Sequence, residues 1–488
     1  MKYSAITSWD DVRVEFKKIW GYEDFRPPQG EIVRSLLDKR DALIVLPTGG
    51  GKSICFQLPA LLQTGLTLVI SPLVALMENQ VQELKDRKLP AALLHSELPS
   101  QERQKTLQAL ERQELRLLYL SPETLLSEPV WERLCQPQLE INGLILDEAH
   151  CLVQWGDTFR PAYRRLGAVR PALLKCKPPG TKIAIAAFTA TADTTAQATI
   201  QNVLKLQQPK FFLISPYRDN LNLKVQTVWS PRGRRQKMLK FIQGKSGQSG
   251  LVYVRSRRDS EELAQWFGKL GYATAAYHGG LGAEERRKIE ASWLNGNSQF
   301  VVCTSAFGMG INKSDVRWVV HFQAPQLLSE YIQEVGRGGR DGLPADALTL
   351  VSEPTGWLNP EDKQRRDFFV NFLRSQYQNA QKLVNKLPLQ GEVKTVATQY
   401  RDGEVALAIL HSANQLEWSD PFSYRKNPRI DSATLVKLSA TQEEIQSQMT
   451  QYLTTRDCRW QFLLREFGFT KEAINFRCQR CDNCLKSR

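Results

Sequence analysis

The chain has 488 residues, which is enough for about three domains that each bury a core. Its net charge of +14 favours an anionic partner, and nucleic acid is a better candidate than an acidic membrane surface. The alternative is that the charge serves only to keep the protein soluble. No apolar run approaches the roughly 18 residues that cross a bilayer, and the N-terminus lacks the apolar core of a signal peptide. We therefore expect a cytoplasmic protein with no membrane partner.

Short, continuous apolar runs alternate with helix-like stretches along much of the chain, and this pattern starts twice. The first group of runs lies at residues 42–46, 66–70, 115–120, 143–146 and 182–186. After the polar segment 215–222, a second group lies at residues 250–254, 273–277, 299–303, 317–322 and 346–351. Fully apolar strands separated by helices are typical of parallel sheets with both faces covered. The sequence therefore predicts two α/β lobes, residues 1–207 and 208–352.

A glycine-rich loop, LPTGGGKS at residues 46–53, follows the first predicted strand and opens a predicted helix. Such loops wrap phosphates with backbone N–H groups at a helix N-terminus, and Lys52 and Ser53 would reach the outer phosphates and Mg²⁺. Leu46 stands where the usual pattern has its first glycine, so a chance glycine loop is the alternative. The predicted nucleotide-binding residues of the loop are Thr48, Gly49, Gly50, Gly51, Lys52 and Ser53.

Two acidic residues, Asp147 and Glu148, end the apolar run 143–146 in the sequence LDEAH. A carboxylate at the C-terminal end of a parallel strand lies where such sheets bind ligands. Asp147 is therefore a candidate Mg²⁺ ligand, and Glu148 is a candidate for orienting or deprotonating an attacking water. The alternative, two acids that cap a helix, leaves the preceding lysine–serine pair unexplained.

Two arginines lie near the end of the second predicted lobe, in YIQEVGRGGRDG at residues 331–342. Arg337 and Arg340 are three residues apart and would share one face of a helix. Guanidiniums directed at a γ-phosphate would act as arginine fingers, and a solvated basic helix end is the alternative. If both lobes hold one nucleotide, binding and hydrolysis close and open the cleft, as in a motor.

These motifs, in this order, resemble those of the RecQ family of DNA helicases, a branch of helicase superfamily 2. The resemblance covers most of residues 9–352 and again 441–485. Its further segments are GYEDFRPPQGE (21–31), AFTATAD (187–193), YHGGL (277–281), AFGMGIN (306–312) and QEVGRGGRDG (333–342). The resemblance implies two RecA-like parallel-sheet lobes and a mostly helical C-terminal region with a zinc site. It also implies that Tyr22 and Arg26 sandwich the adenine base while Gln29 hydrogen-bonds its edge.

The segment QWGDTFRPAY at residues 154–163 resembles the aromatic-rich loop of the family. Trp155 and Phe159 would stack on unpaired DNA bases, and Arg160 would contact phosphate or add a cation–π contact. The alternative is that Trp155 and Tyr163 are core residues, and for Tyr163 the two interpretations are equally good. The family usually has His-Asp where this chain has Asp157-Thr158, which leaves the strength of coupling between DNA and ATPase open.

A basic cluster in YVRSRRD at residues 253–259 also departs from the family, which usually has a short polar residue at Arg255. Arg255, Arg257 and Arg258 would lie against DNA phosphate, or they would form a solvated edge.

Four of the nine cysteines cluster near the C-terminus with the spacing C-x₁₉-C-x₂-C-x₂-C. Four thiolates at this spacing suit tetrahedral Zn²⁺ with no open position for catalysis, and the flanking sequences resemble the RecQ zinc module. A redox C-x-x-C is the alternative, but the surrounding sequence does not look like a βα redox unit. We expect zinc to stabilise the C-terminal region rather than the lobes. The predicted ligands are Cys458, Cys478, Cys481 and Cys484.

Beyond the second lobe we predict a helical connector at 353–386, a possible winged-helix-like unit at 387–430 and the zinc-binding region at 431–488. A predicted helix in the middle unit would present one face, with Val405, Ala408, Ile409 and Ser412. The predicted hairpin after it would present one side, with Leu416, Trp418, Phe422 and Tyr424. Phosphate contacts would come from Arg425, Lys426 and Arg429. The alternative is a brace packed on the second lobe.

By resemblance, this is an ATP- and Mg²⁺-dependent DNA helicase with a structural zinc ion and with single-stranded and forked DNA as partners. It would translocate 3′→5′ and open duplexes, forks and recombination intermediates in DNA repair and recombination. We expect a short form without the family's helicase-and-RNase-D C-terminal domain, because four residues follow Cys484. Two alternatives are an RNA-directed superfamily 2 helicase and a DNA-stimulated ATPase that anneals or remodels DNA without unwinding it.

Overall fold

The structure is a computed structural model that describes the chain except residues 1–7, 154–159, 308–310, 312, 354, 429–431 and 487–488. The chain groups into two compact units. The first comprises Met1–Leu46, Gly50–Ile214 and Arg374–Ser439, and the second comprises Pro47–Gly49, Ser215–Leu373 and Ala440–Arg488. Among the helices that the structure describes, none has both the length and the apolar character needed to cross a bilayer.

The first unit contains a seven-stranded sheet in which every described strand pair is parallel. Its strands are β1 Ala42–Val45, β2 Leu66–Ile70, β3 Ala91–Leu94, β4 Leu117–Leu120, β5 Ile141–Leu146, β6 Ala184–Thr189 and β7 Lys210–Leu213. Their order across the sheet is β3-β4-β2-β5-β6-β1-β7. The inner strands are buried on both faces, which is why their sequences are continuously apolar.

Helices cover both faces of this sheet. They are α1 Trp9–Trp20, α2 Gln29–Leu37, α3 Lys52–Leu62, α4 Val74–Asp86, α5 Ser100–Glu111, α6 Pro122–Leu125, α7 Glu128–Leu134, α8 Val169–Lys175 and α9 Thr194–Leu204, with 3₁₀ helices at Ala149–Leu152 and Pro161–Ala168. Alternate residues of β1 enter two different apolar clusters: Leu43 and Val45 enter one, Ala42 and Ile44 the other. Since side chains alternate across a strand, each cluster lies on its own face of the sheet.

The second unit contains a six-stranded sheet that is also parallel in every described pair. Its strands are β8 Leu221–Val228, β9 Gly250–Tyr253, β10 Thr274–Tyr277, β11 Phe300–Cys303, β12 Trp318–His321 and β13 Ala345–Ser352, in the order β10-β11-β9-β12-β13-β8. Its helices are α10 Pro231–Gln243, α11 Arg257–Lys269, α12 Ala283–Leu294 and α13 Leu328–Val335. The predicted fold class, two parallel-sheet lobes, is confirmed.

The first sheet extends past residue 207, where we expected the first lobe to end. Strand β7 pairs with β1, and the first unit continues to Ile214. Our boundary left out the short apolar run Phe211-Phe212-Leu213, which forms most of β7 although three of the four residues of this strand are exposed.

The C-terminal part of the chain is mostly helical, as predicted. Its helices are α14 Glu361–Val384, α15 Val393–Gln399, α16 Gly403–Ser412, α17 Ser432–Thr454, α18 Arg459–Glu466, α19 Thr470–Ala473 and α20 Asp482–Lys486. A small antiparallel sheet in the order β14-β16-β15 consists of β14 Gln390–Glu392, β15 Leu416–Trp418 and β16 Ser423–Lys426. We call the segment from β14 to β16, residues 390–426, the inserted module.

The inserted module groups with the first unit, so the expected alternative of a brace on the second lobe names the wrong lobe. Phe422 also departs from the predicted side of the hairpin. Leu416, Trp418 and Tyr424 pack in the module's own core, whereas Phe422 contacts Trp131 with ring centroids 5.2 Å apart. Phe422 precedes β16 and lies in the turn, where the alternation of a strand does not apply.

The helix of the module buries more than the one predicted face. In α16, residues Leu407 and Leu410 are fully buried together with Ala408 and Ile409, whereas Val405 and Ser412 are only partly buried. This helix is covered nearly all round, and a one-face pattern cannot describe it.

The zinc-binding region shares its core with the second lobe. The Trp460 indole N–H donates to the Leu221 carbonyl at 3.2 Å, and the Val225 N–H donates to Asp482 at 3.1 Å. Asp482 is also paired with Arg459 at 2.6 Å. We expected loss of zinc to leave the lobes unaffected, but these contacts with β8 tie the region directly to the second lobe.

Candidate active site and zinc centre

The phosphate loop joins β1 to α3 with the geometry that anion binding needs. Helix α3 begins at Lys52, and Gly51 precedes it with a φ of +72°, a left-handed conformation that favours glycine. Gly49 has a φ of +84°. The first-turn N–H groups of α3, including that of the partly buried Ser53, have no partner within the helix. Residues 47–49, which include Thr48, group with the second unit, whereas Gly50 and the residues after it belong to the first.

Lys52 and Glu148 form a buried ion pair. Lys52 Nζ lies 3.2 Å from Glu148 Oε1, and the two side chains are 13% and 15% exposed. The other Glu148 oxygen lies 3.2 Å from His150 Nδ1. Burial opposes ionisation of Glu148, but the Lys52 ammonium and His150 outweigh it and hold the pKa of this carboxyl well below its usual range. The structure therefore brings the predicted lysine and acid together.

Asp147 lies at the carboxyl end of β5, with its side chain directed into this same site. Its Oδ1 accepts from the Glu148 N–H at 3.0 Å, and its Oδ2 lies 3.5 Å from Gln80 Nε2. Burial, and then the Glu148 charge, raise the pKa of Asp147 to about 6 although Lys52 opposes them. Two adjacent buried carboxylates beside the Lys52 ammonium fit a divalent cation, which would compensate the remaining negative charge.

His150 connects the acids to the segment AFTATAD, a link that we did not predict. Its Nδ1 lies 3.2 Å from Thr189 Oγ1, at the end of β6. The same hydroxyl donates to the Thr191 carbonyl at 3.1 Å and accepts from the Thr191 N–H at 3.2 Å. A change at Glu148 can thus reach residues 189–191 through one imidazole. The histidine within DEAH and the threonines within AFTATAD were the available signal.

The predicted adenine-binding element is tied to the phosphate loop through Gln29. Its side chain is 5% exposed, donates to the Gly50 carbonyl at 3.1 Å and accepts from the Arg26 N–H at 3.0 Å. Tyr22 is half exposed, with its ring 5.8 Å from that of Phe16, and the Arg26 side chain is exposed. Contact of these three residues with adenine remains a prediction.

Arg337 and Arg340 do not share a helix face, because α13 ends at Val335. They lie in the glycine-rich turn that follows, in which Gly339 has a φ of +58°. Arg337 is 7% exposed, and Arg340 Nη1 donates to the Ile311 carbonyl at 3.0 Å. Burial, and then the charge of Arg337, lower the pKa of Arg340 to about 10. The two guanidiniums are therefore close enough to repel each other, and an anion would relieve this repulsion.

Two residues that we did not predict hold this turn. Arg218 Nη1 donates to the Gly336 carbonyl at 3.1 Å and its other terminal nitrogen to the Gly339 carbonyl, to which Asn220 Nδ2 also donates at 2.7 Å. Both belong to the polar segment 215–222, SPYRDNLN, which we used only to separate the two groups of apolar runs. Their side chains convert that segment into a support for Arg337 and Arg340.

Arg255 is neither a DNA-facing cation nor part of a solvated edge. Its guanidinium makes a two-pronged contact with Glu334, at 2.9 Å and 2.6 Å, and its side chain is 10% exposed. Glu334 also accepts from His321 Nε2 at 2.9 Å. Arg258 fits the solvated alternative, since its side chain is 85% exposed and pairs with Glu262. The buried pair instead anchors α13, the helix that leads into the arginine turn.

The aromatic-rich segment is only partly within the described residues. Trp155, Asp157, Thr158 and Phe159 lie outside them. Arg160 Nη1 lies 3.0 Å from Glu123 Oε2, so its charge is engaged within the protein. Tyr163 is fully buried, which favours the core over DNA for this residue.

The four C-terminal cysteines form one compact cluster. Their Sγ atoms all lie within 4.8 Å of one another, and all four residues are buried. Zn–S bonds of about 2.3 Å place tetrahedral sulfurs roughly 3.8 Å apart, close to the 4.0 Å between the Cys478 and Cys484 sulfurs. Backbone N–H groups of Cys478 and Cys481 donate to cluster sulfurs at 3.3 Å, which favours thiolates. None of the nine cysteines forms a disulfide, so all four cluster sulfurs are available as ligands. The cluster therefore fits Zn²⁺.

Three protein families match the chain in sequence. They are described as DEAD/DEAH box helicase, helicase conserved C-terminal domain and RecQ zinc-binding, and they match residues 26–200, 233–342 and 430–485. The chain is 54% identical to "ATP-dependent DNA helicase RecQ" of Synechocystis sp., over 97% of this chain and 98% of the relative. It is 38% identical to the "Probable ATP-dependent DNA helicase RecS" of Bacillus subtilis, over 68% of this chain and 65% of the relative.

Two solved structures share the fold at low sequence identity. Dbp5 of S. cerevisiae, bound to RNA and ADP BeF3, superposes with a TM-score of 0.57 at 15% identity, over 74% of this chain and 93% of Dbp5. The helicase Lhr of Mycobacterium smegmatis, bound to ssDNA and AMP-PNP, gives 0.56 at 16% identity, over 92% of this chain and 62% of Lhr. These likenesses support the fold alone. The identity to the Synechocystis protein spans nearly the whole length of both chains and includes the zinc-binding match, so this chain belongs to the RecQ family of ATP-dependent DNA helicases.

Proposed function

We propose that this chain uses ATP to move 3′→5′ along single-stranded DNA and to unwind duplex, forked and recombination-intermediate DNA in repair and recombination. The observation that carries the proposal is the Lys52–Glu148 pair, 3.2 Å apart beside Asp147. It lies in a chain that is 54% identical to an ATP-dependent DNA helicase. The free thiols favour the cytoplasm as its location, because a reducing compartment preserves them.

ATP hydrolysis follows from an exchange of partners in the first unit. The N–H groups of residues 50–53 hold the phosphates, and Lys52 leaves Glu148 for the outer phosphate oxygens. Glu148, released from this ion pair, orients the attacking water and accepts its proton. Ser53 and Asp147 would hold Mg²⁺, which would neutralise phosphate charge when bound. His150 transmits the movement of Glu148 to Thr189.

Arg337 and Arg340 are the proposed arginine fingers. Their mutual repulsion, which lowers the pKa of Arg340, makes the turn favourable for an anion with several oxygens. Arg218 and Asn220 hold the carbonyls of the turn, so both guanidiniums start from a fixed backbone. Tyr22, Arg26 and Gln29 select the base.

DNA is the proposed partner, in single-stranded and forked form. Trp155 and Phe159 stack on unpaired bases and Arg160 exchanges Glu123 for a DNA phosphate, while the net charge of +14 attracts the polyanion. Zn²⁺ has a structural role, because four cysteines leave no open coordination position.

A strand-separation assay tests the proposal. With ATP and Mg²⁺, the wild-type protein should open duplex DNA with a 3′ single-stranded tail and leave both 5′-tailed DNA and RNA duplexes paired. Glu148→Gln is the control that should bind DNA without opening it. Equal opening of RNA duplexes, preference for a 5′ tail, or DNA-stimulated ATP hydrolysis without strand separation would each contradict the proposal and favour one of the alternatives.

A further inference from the structure

The inserted module has the order of elements of a DNA-reading domain. In it, α15 and α16 are followed by the β15–β16 hairpin. In helix-turn-helix proteins the second helix of the pair lies in the major groove and its side chains contact base edges. Helix α16 holds that position here, so its exposure decides whether the module can read duplex DNA.

Helix α16 has no face free for a DNA groove. Residues Ala406 to Leu410 are each at most 5% exposed, which is more than one full turn. One side packs in the module's own core with Leu416 and Tyr424. Another side packs against the 3₁₀ helix Pro161–Ala168 of the first lobe, whose Ala168 belongs to the same apolar cluster.

The hairpin is also engaged within the protein. Phe422 in its turn packs edge-on against Trp131 of α7. Lys426, expected to meet DNA phosphate, instead donates to the carbonyls of Val384 and Leu387 at 2.6 Å and 3.3 Å, where α14 ends. Arg425 stays at the surface, 3.8 Å from Glu417. Arg429 lies outside the described residues.

Arg165 fastens the 3₁₀ helix Pro161–Ala168 to both parts of the module. Its guanidinium donates to the Pro421 carbonyl in the hairpin turn and to Glu404 of α16, each at 3.3 Å. The Arg165 side chain is 11% exposed, whereas Glu404 is 39% exposed. A buried guanidinium of this kind requires its partners, since losing them leaves an uncompensated charge.

The fastened helix lies next to the proposed DNA-sensing segment. Pro161–Ala168 begins one residue after Arg160, and Ala149–Leu152 begins one residue after Glu148. These two 3₁₀ helices also contact each other. The aromatic segment is therefore joined at one end to the catalytic acids and at the other end to a helix that the module holds.

We propose that the inserted module is an internal clamp on Pro161–Ala168 rather than a reader of duplex DNA, and that Arg165, Glu404 and Phe422 are positioning residues for stimulation of the ATPase by single-stranded DNA. The proposal rests on the proposed function of the aromatic segment. With the clamp engaged, the far end of that segment is fixed, so displacement by DNA moves the end that leads to Glu148. A loose clamp lets the far end yield instead.

The test measures ATP hydrolysis against the concentration of a single-stranded oligonucleotide. In Arg165→Ala and Phe422→Ala, hydrolysis without DNA should equal wild type. The DNA concentration for half-maximal stimulation should rise about tenfold, as expected if about one molecule in ten keeps the clamp engaged. Arg165→Glu combined with Glu404→Arg should restore part of the stimulation that either reversal alone removes, because the ion pair returns but the hydrogen bond to the Pro421 carbonyl does not. Arg425→Ala, at the surface of the same module, is the matched control and should change neither stimulation nor affinity for forked DNA.

A second control distinguishes the clamp from a general loss of stability. It is a variant that is destabilised as much as Arg165→Ala but is altered away from the clamp. Leu84→Ala on α4 removes buried apolar contacts in the cluster on the other face of the sheet and should lower the melting temperature without changing the response to DNA. The clamp is overturned if Arg165→Ala and Phe422→Ala melt earlier yet respond to DNA as wild type does, or if Arg425→Ala weakens fork binding. Absence of DNA stimulation in the wild type would instead refute the proposed function.

Discussion

At the scale of single residues, the candidate ATP site places two acidic side chains near one ammonium group. Lys52 faces Glu148, and Asp147 beside it has a pKa raised to about 6 by burial and by the Glu148 charge. A phosphate group that draws Lys52 away leaves both carboxylates uncompensated. Nucleotide binding should therefore alter the surroundings of Glu148, the acid that we propose acts on water.

Lys52→Ala tests this arrangement. The variant loses the phosphate contact and leaves Glu148 buried without its ammonium partner, so we expect ATP hydrolysis to fall by at least about 100-fold. Binding of single-stranded DNA should stay within a few-fold of wild type, as measured by fluorescence anisotropy without nucleotide. Lys105→Ala, an exposed lysine on α5, is the matched control. Unwinding by Lys52→Ala at a wild-type rate would refute the assignment of the phosphate loop.

The buried position of His411 in α16 leads us to expect that the inserted module loses stability at acidic pH. Burial first, and then the charges of Arg164 and Lys205, lower the pKa of this imidazole to about 3 from the ordinary 6.5. The unfolded module therefore binds more protons between these values, and stability falls as the pH drops below 6.5. Because the ring is only partly buried, the loss from pH 7 to pH 5 is at most about 2 kcal/mol. Hydrogen exchange of the α16 amides, corrected for intrinsic rates, should show this loss in wild type and a smaller one in His411→Gln.

At the scale of elements, the strands that sequence patterns missed lie at sheet edges. We predicted ten strands of the two large sheets but not β3, β7 or β8, each of which is an edge strand. β8 alternates buried with partly or fully exposed residues along most of its length, and β7 exposes three of four. The alternation in β8 explains why a search for continuous apolar runs missed this strand, because solvent reaches one side of an edge strand. β3 and β7 do contain short apolar runs, Ala91–Leu94 and 211–213, which the search left out. The edge strand β10 was found, so a position at the edge does not by itself hide a strand.

In the candidate site, features formed by neighbouring residues were predicted, whereas contacts between residues far apart in the sequence were not. The phosphate loop, the acid pair and the four cysteines were found because their spacing along the chain carries their chemistry. The pairing of Arg255 with Glu334, 79 residues later, has no local signature, and Arg255 was misassigned for that reason. Likewise, a helix face shared by Arg337 and Arg340 was a natural expectation, but the glycines between and before them end the helix.

Zinc loss should reach beyond the cysteine cluster into β8. Replacement of Cys481 by Ser should lower bound zinc from one ion per chain, and amides of β8 should lose protection from hydrogen exchange because Trp460 and Asp482 contact this strand. Cys176→Ser, a partly buried cysteine of the first unit, is the control and should retain both zinc and protection. Undiminished β8 protection in a zinc-free protein would confine the role of the metal to the C-terminal helices.

At the scale of the whole molecule, each unit is assembled from separate stretches of chain. The chain passes from the second unit to the first within α14, at residues 373–374, and returns within α17, at residues 439–440. The inserted module therefore lies between two helices that the second unit shares. A list of consecutive domains, such as the one we drew from sequence, cannot represent this arrangement, because composition changes along the chain do not reveal which lobe a segment joins.

Coupling between DNA and ATP hydrolysis is a property of the molecule as a whole, and the double variant Trp155→Ala, Phe159→Ala tests it. Stacking of each base on an aromatic ring contributes roughly 1–3 kcal/mol, so we expect stimulation by single-stranded DNA to fall by more than tenfold. Hydrolysis without DNA should persist, since Lys52, Asp147 and Glu148 are intact. The measurement is the ratio of ATP turnover with and without saturating oligonucleotide.

Tyr163→Phe supplies the control for this prediction, because it keeps a buried ring of the same segment and removes only a hydroxyl. It should respond to DNA as wild type does. If the double variant is stimulated normally as well, Trp155 and Phe159 do not sense DNA. The connection from DNA to Glu148 must then run through another part of the chain.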